Sequence, residues 1–555
     1  MGAIKLQEKE QMVQERAAKL GLPYIVLRGF PIAPEALSLL TRDIATALHV
    51  VPFFALSGQI RIGTTEPGKD VERIVAQLAK DQHANVETYL ISEDSLEIAL
   101  KLYEKLPIPK EIIYGYRIEE EDLARYEKEI SDWTELQAKI ATVSTTDIIT
   151  LMIGASLKSG ASDVHVEAEE EDVKIRMRID GRLKDAATLP KTAWKQMIGR
   201  LKLLAGVKIN IEDIPQDGRI TIYLTNEKID IRVSFLPTAF GESVVMRLLR
   251  PKSIALEFDK LGIRGLALER LTSEIEKPNG MIITTGPTGS GKTTSLYAIL
   301  KKLNREDVKI ITLEDPIEYK LQGINQSQVD HSKNYDFAKG LRSILRQDPD
   351  IVMVGEIRDT ETAEIAIQAA LTGHLVVSTI HTNSAAGAIP RFLSMGVKPF
   401  LLAPALNAII GQRLVRRLKP DMAVPAKLPP GKLKQVKEIL GNIPKASGYT
   451  VDVDKLTFME PDPNKVTPTD DGYKGRVGIY EIFTMTPDIE EIVLSGGDVS
   501  EYKIQQIASK HGMLTMAQDG LLKALDGLTT VDEVLEAANV DSEIFEPSTG
   551  EETKK

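Results

Sequence analysis

The sequence predicts an α/β multidomain protein built around a mostly parallel sheet, and three observations carry that reading. Short, nearly continuous apolar runs (MIITT, VKIITL, IVMVG and LVVSTI) alternate with helix-length amphipathic segments from Asn279 onward, as strands buried on both faces require. The loop Gly286-Pro287-Thr288-Gly289-Ser290-Gly291-Lys292-Thr293 stands directly between the first of those strands and a helix, TTSLYAILKKL. The chain has 555 residues, 43% apolar and 27% charged, which at about 150 residues per domain suggests three or four domains with ordinary cores.

Taken in order, residues 1–110 read as a small α/β domain. Ile25, Val26 and Leu27 read as a strand, Pro34 to Ala47 as one helix opened by its proline, Val50–Leu56 with Gln59–Gly63 as a hairpin, and Val71–Leu78 as a helix. Residues 111–140 form a charged linker that includes the acidic run Glu119–Asp122, read as a solvated helical stretch. A second module, 141–255, starts on a helix in which Ile148, Ile149, Met152 and Ile153 share a face. Its strands VKIRMRID (173–180) and KIDIRVSF (228–235) alternate apolar with polar residues, so Arg176, Arg178 and Arg232 come to the face opposite the core. Asp180-Gly181 and Asp217-Gly218 have the composition of tight turns. The strand-and-helix core spans 256–415, and an α-rich region with an irregular, proline-rich insertion follows over 416–540. The polar residues 541–555 read as a disordered tail.

Composition excludes several chemistries. The chain has no cysteine, which removes disulfides, thiol nucleophiles, iron–sulfur clusters and cysteine-bound zinc. A charged N-terminus without an apolar h-region gives no secretory signal, and the most apolar stretch, 399–410, is too short to span a bilayer. A cytoplasmic location is therefore expected. The net charge of −11 argues against bulk nucleic-acid binding.

The loop 286–293 fits G-x-x-x-x-G-K-[ST] in full, a match expected by chance in roughly one chain of this length in fifty. Its glycines let backbone N–H groups curl around a phosphate, Lys292 can bridge the β- and γ-phosphates, and Thr293 can hold Mg²⁺. Two acidic strand ends follow, Leu313-Glu314-Asp315-Pro316-Ile317-Glu318 and, after IVMVG, Glu356. Ligands of open α/β sheets lie beyond the carboxyl ends of the strands, so these acids are candidates to orient the attacking water and to hold a metal's water shell. His374 and His381 flank LVVSTI; His381 stands at the phosphate end, and without further ligands the pair makes no zinc site. Arg176, Arg178, Arg219, Arg232 and Arg247 are available to neutralise transition-state charge.

Together, GPTGSGKTT, TLEDPIE, RQDPDIVMVGEIRDTETAEIAIQAALTGHLVVSTIHT and KGRVGIYEIF resemble the secretion-superfamily ATPases over about residues 140–540, nearest the branch of type II secretion and type IV pilus assembly motors. The resemblance implies a RecA-like core, preceded by a mobile linker and a PAS-like domain, with ATP and Mg²⁺ as ligands. It makes Gly286–Thr294 the Walker A loop, Glu314–Glu318 an aspartate box with Glu318 the catalytic glutamate, Asp350–Glu356 the Walker B region with Glu356 on the metal through water, and His374–Thr382 a histidine box. It also implies a homo-hexamer, with Arg176, Arg178 and above all Arg219 as finger candidates. The ring would lie peripherally at the inner face of the plasma membrane, acting on a platform protein to drive pilus or pseudopilus assembly or protein secretion. The branch often carries a four-cysteine zinc site in the region matching 419–473, where this chain has neither cysteine nor histidine, so no zinc is expected. The leading domain of some members binds cyclic di-GMP, for which residues 1–110 show no clear signature. The alternatives are a nucleic-acid or DNA-uptake motor with the same core, and a non-catalytic nucleotide-gated scaffold.

Overall fold

The computed structural model describes residues 2–56, 59–81, 84–103, 116–117, 133–140, 145–223, 228–249, 256–495 and 499–539. The chain divides into two compact units, Met1–Tyr114 and Gly115–Lys555. The acidic run 119–122 and the segment 541–555 lie outside the described residues.

In the first unit β1 (Val50–Leu56) and β2 (Gln59–Thr64) form the expected antiparallel hairpin, and the helix Lys69–Asp81 carries the chain to β3 (Asn85–Leu90), parallel to β2. Apolar clusters cover both faces, Val51, Phe53 and Leu96 on one and Ile60, Ile62 and Leu78 on the other. Two expectations need correction. Ile25–Leu27 is not a strand: Tyr24 makes a single bridge to Leu90, and the Leu27 N–H turns to Ser95 Oγ at 3.1 Å. The helix expected over Pro34–Ala47 is two, Pro34–Leu37 and Arg42–Ala47. Thr41 Oγ1 accepts the Ile44 N–H at 3.4 Å and so starts a second helix where continuation was expected.

The second unit opens with a seven-stranded sheet. The strands β4 (Tyr116–Arg117), β5 (Asp163–Ala168), β6 (Asp172–Ile179), β7 (Arg182–Pro190), β8 (Gln216–Tyr223), β9 (Lys228–Thr238) and β10 (Gly241–Leu249) stand in the order β4-β8-β9-β10-β5-β6-β7. Alternation along β6 and β9 sends Ile175, Met177, Ile231 and Val233 into a core shared with Met152, Trp194 and Leu201 from the helices Thr145–Ser159 and Lys191–Ala205. The helix Trp133–Ile140 adds buried Leu136 and Ile140 to that same core, although its residues read as linker. Asp180 and Gly181 make the expected turn with φ of 49° and 92°. Asp217-Gly218 does not: both residues lie within β8, opposite Ser234 and Val233. Gly218 serves close approach instead, since a Cβ there would stand 2.4 Å from the Ala205 carbonyl oxygen.

The remainder of the unit is built on β11 (Gly280–Thr285), β12 (Ile310–Glu314), β13 (Asn325–Gln328), β14 (Ile351–Val354), β15 (Leu375–Ile380) and β16 (Leu406–Leu418). A separate pair, β17 (Ala423–Pro425) and β18 (Met459–Pro461), precedes β19 (Tyr473–Thr484), and the large sheet runs β13-β12-β14-β15-β11-β16-β19. All neighbours are parallel except β16 and β19. Both faces are buried, as the apolar runs require: Met281, Ile283, Val352 and Val354 enter one core while Ile282, Ile351 and Met353 enter the other. Each such side chain contributes about 1.5–3 kcal/mol by leaving water. KGRVGIYEIF, within the α-rich region 416–540, forms the edge strand of the central sheet. The proline-rich segment before it packs Val436, Leu440 and Phe458 against Leu521 and Val534. No described helix is long and apolar enough to cross a membrane.

Candidate active site

The phosphate loop starts where β11 ends. Gly286, Gly289 and Gly291 take φ of 147°, 82° and 88°, conformations that L side chains rarely adopt. At Gly286 space also forbids a side chain, since a Cβ would lie 2.6 Å from the Gln412 carbonyl oxygen. The helix Lys292–Leu303 begins at once, with Thr293 and Thr294 in its first turn. Its N-terminal N–H groups and positive dipole end therefore face the loop. Ser290 Oγ is buried with no hydrogen-bond partner among the described residues, while Lys292 Nζ donates to the Gly286 and Pro287 carbonyls at 2.8 and 3.1 Å. Burial lowers the Lys292 pKa and Arg413 lowers it further, against the opposing pull of Glu356. Curled glycines, an unused buried hydroxyl and a confined ammonium suit a polyphosphate.

The acidic strand ends separate. Glu314 ends β12 but points inward: it is 2% exposed and takes hydrogen bonds from Thr312 Oγ1 at 2.5 Å, Gln326 Nε2 at 3.1 Å and the Tyr297 hydroxyl. It does not face the phosphates as expected. Burial and the Glu314 carboxylate push the Tyr297 phenol well above its ordinary pKa. Glu318 has left the interior and stands 3.2 Å from Arg232 Nη1. Glu356, beyond β14, pairs with Arg358 and lies 3.3 Å from His381 Nε2. His374 sits at the other end of β15, with Nδ1 on the Ala369 carbonyl.

Among the arginines, only Arg232 is brought to the aspartate box among the described residues, its second contact being the Ile317 carbonyl at 2.9 Å. Arg219 pairs with Asp230 on the neighbouring strand. Burial would raise Asp230, but the bonds from Arg219 and Thr221 outweigh it and hold that carboxyl below its ordinary value. Both arginines line a cleft of about 1800 Å³, with Tyr297, Glu318 and Gln326 on its far wall. Arg176 is held by Glu167, and Arg178 and Arg247 by Asp163, on β5, β6 and β10 away from that cleft.

Sequence reasoning missed the part played by β16. Gln412 Nε2 donates to the Ser290 carbonyl at 2.7 Å, and Arg413 next to it donates to the Asn383 carbonyl at 3.1 Å. It also missed the stitch between Thr285 and Thr382, whose N–H donates to Thr285 Oγ1 at 3.0 Å. The available signal was Gln412-Arg413, polar residues just after the apolar run Ala408–Ile410.

The family profile described as "Type II/IV secretion system protein" matches residues 139–536, and one described as "MshEN domain" matches 20–108. The chain is 38% identical over 531 residues to the type IV pilus assembly ATPase PilB of Myxococcus xanthus, covering 95% of this chain and 91% of that one. It is 43% identical over 397 residues to the type II secretion system protein E of Xanthomonas campestris pv. campestris, covering 70% and 66%. Among solved structures, the Legionella pneumophila ATPase DotB superposes with a TM-score of 0.52 at 20% identity, covering 71% of this chain and 95% of that one, a likeness of fold.

Proposed function

From the premise that this chain belongs to the type II/IV secretion system protein family, an ATPase family, we propose that it hydrolyses ATP to power pilus or pseudopilus assembly or protein secretion. It works as a homo-hexamer at the inner face of the plasma membrane, on a platform protein of that machine. The observation that carries the reading is the complete phosphate loop between β11 and its helix, with Glu356 placed to act on Lys292 and Arg232 on Glu318. The names of the relatives support the pilus or secretion role.

Gly286–Thr294 bind the phosphates, with Lys292 across the outer two. Thr293 and Glu356, both oxygen donors, would hold Mg²⁺, which would supply charge neutralisation at the phosphates. Glu318 orients and deprotonates the attacking water. Arg232, joined by Arg219, brings positive charge from the β8–β9 sheet toward the aspartate box, so closure of the intervening cleft gates turnover. The modules that move are 141–255 and 256–415, with 416–540 packed on the latter.

The test is Mg-dependent ATP hydrolysis by the purified full chain, with and without DNA. Turnover lost in Lys292→Ala and indifferent to DNA is the expected result. Strong stimulation by DNA would replace the secretion reading with a translocase.

A further inference from the structure

Five consecutive residues after β15 are each tied to a different part of the molecule. His381 Nε2 meets Glu356 at 3.3 Å, Thr382 is bonded to Thr285 at the end of β11, and the Asn383 carbonyl accepts from Arg413 at 3.1 Å. Ser384 Oγ donates to Glu501, and the Ala385 N–H donates to Glu481 Oε1. The first two ties reach the phosphate end of the sheet; the last two reach the C-terminal region.

Glu481 is unusual among them. It lies in β19, 6% exposed, directly opposite Gly411 of β16. A Cβ at position 411 would stand 2.7 Å from Glu481 Cγ and 2.9 Å from the Ala385 nitrogen. Gly411 therefore keeps open the space through which the carboxylate reaches the loop. The same carboxylate accepts the backbone N–H of Met516, the first residue of the helix Met516–Leu525. A buried carboxylate is expensive unless its oxygens are bonded, and here both bonds are spent on fixing backbone.

We propose that Glu481 is a positioning residue for ATP turnover, whose carboxylate pins the loop His381–Ala385 between Met516 and Arg413 and so holds His381 on Glu356. The proposal rests on the ATPase reading of the site. Glu481 lies in KGRVGIYEIF, a stretch to which the resemblance assigned no residue role, and 125 positions beyond Glu356 (481 − 356).

Protonation is the natural way to loosen this pin. An ionised carboxylate offers an acceptor to each N–H, whereas a protonated one presents a hydroxyl that itself needs an acceptor. Burial pushes Glu481 up to about 7, aided by Glu501 and opposed by the Ala385 and Met516 N–H groups and Arg413. Those are the charged groups that face it from the helix Glu501–Lys510 and from β16. Asp519 and Lys523, further along the helix Met516–Leu525, are occupied with each other at 2.6 Å and with the backbone of Tyr480 and Gly478.

The experiment uses the full chain, with Glu481→Gln as a near-isosteric variant that cannot ionise. Turnover of the wild type is expected to fall several-fold from pH 8 to pH 6 with KM for ATP nearly constant, because the phosphate loop is untouched. In Glu481→Gln that limb disappears and kcat is low and flat. Histidine titrates in the same range, and a limb set by a histidine would persist in Glu481→Gln, whereas His381→Gln, which removes the group the pin holds, is expected to be low and flat as well. A limb that persists in Glu481→Gln, or a rise in KM at unchanged kcat, overturns the proposal. Amide exchange over 381–387 without nucleotide decides the pin itself: loss of one such bond speeds exchange about tenfold at pH 8, and unchanged protection overturns the proposal whether or not the protein hydrolyses ATP. Equal turnover by the wild type and Lys292→Ala would sink the ATPase reading and leave the exchange result standing.

Discussion

After β12 and after β14 the chain leaves the same sheet on a glutamate, Glu314 in one case and Glu356 close behind the other. Neutral donors surround the first: Thr312, Gln326 and the Tyr297 hydroxyl hold a carboxylate that is 2% exposed. The second meets Arg358 and His381 and acts on Lys292. Both occupy the end where ligands of such sheets lie, so position alone does not make an acid functional. What decides is the opposite wall: the phenol of the helix Lys292–Leu303 beside one, the cationic phosphate end beside the other. Four residues beyond Glu314 the aspartate box regains the open side, and Glu318 finds Arg232 at 3.2 Å.

The strongest way to test that contrast is to remove the cation on the reactive side. Lys292→Ala deletes charge-assisted bonds to two phosphates, each about 1.5–3 kcal/mol, so nucleotide affinity should drop by roughly a hundredfold or more. Equilibrium binding of a fluorescent ATP analogue reads this directly. Next come the acids. Glu318→Gln should keep nucleotide affinity while turnover falls by ~10²–10⁴-fold, the usual worth of a positioned general base. Normal turnover in that variant would transfer the role to Glu356, and Glu356→Gln measured alongside settles which wall holds the base.

The arginines sharpen the same contrast across the cleft. Arg232→Ala should reduce kcat by ~10²-fold with little change in binding, as for loss of one preorganised donor. Arg219→Ala is expected to act in the same direction if cleft closure frees it from Asp230. A loss confined to Arg219→Ala would mean that the Arg232–Glu318 pair is only a resting contact.

These distinctions mark where sequence reading ended. The parallel sheet was legible because four buried strands leave four nearly continuous apolar runs, and the phosphate loop because its glycines and lysine are local in sequence. The alternation in 173–180 and 228–235 likewise placed Arg176, Arg178 and Arg232 on one kind of face. Which arginine reaches which acid depends on the packing of two modules 85 residues apart in the Arg232–Ile317 contact, and no local pattern encodes it. Asp217-Gly218 had turn composition for a reason unrelated to turning, the approach of the Ala205 carbonyl. Glu481 stood within KGRVGIYEIF without an assigned role because its partners, Ala385 and Met516, offer backbone rather than side chains.

The smallest expected effect falls on the quiet side of the comparison. Tyr297→Phe removes the hydroxyl that donates to Glu314 and accepts from the Glu318 backbone, and leaves a buried carboxylate one donor short. That should cost about 1–3 kcal/mol of stability, a drop of a few degrees in the Tm of a unit this large, with nucleotide affinity unchanged. Turnover should fall far less than in Glu318→Gln, since the phenol touches Glu318 only through its backbone. Thermal unfolding and ATP hydrolysis on the same preparation separate the two. A loss of turnover as deep as that of Glu318→Gln, with Tm unmoved, would place Glu314 and Tyr297 in the chemistry and erase the difference between the two strand ends.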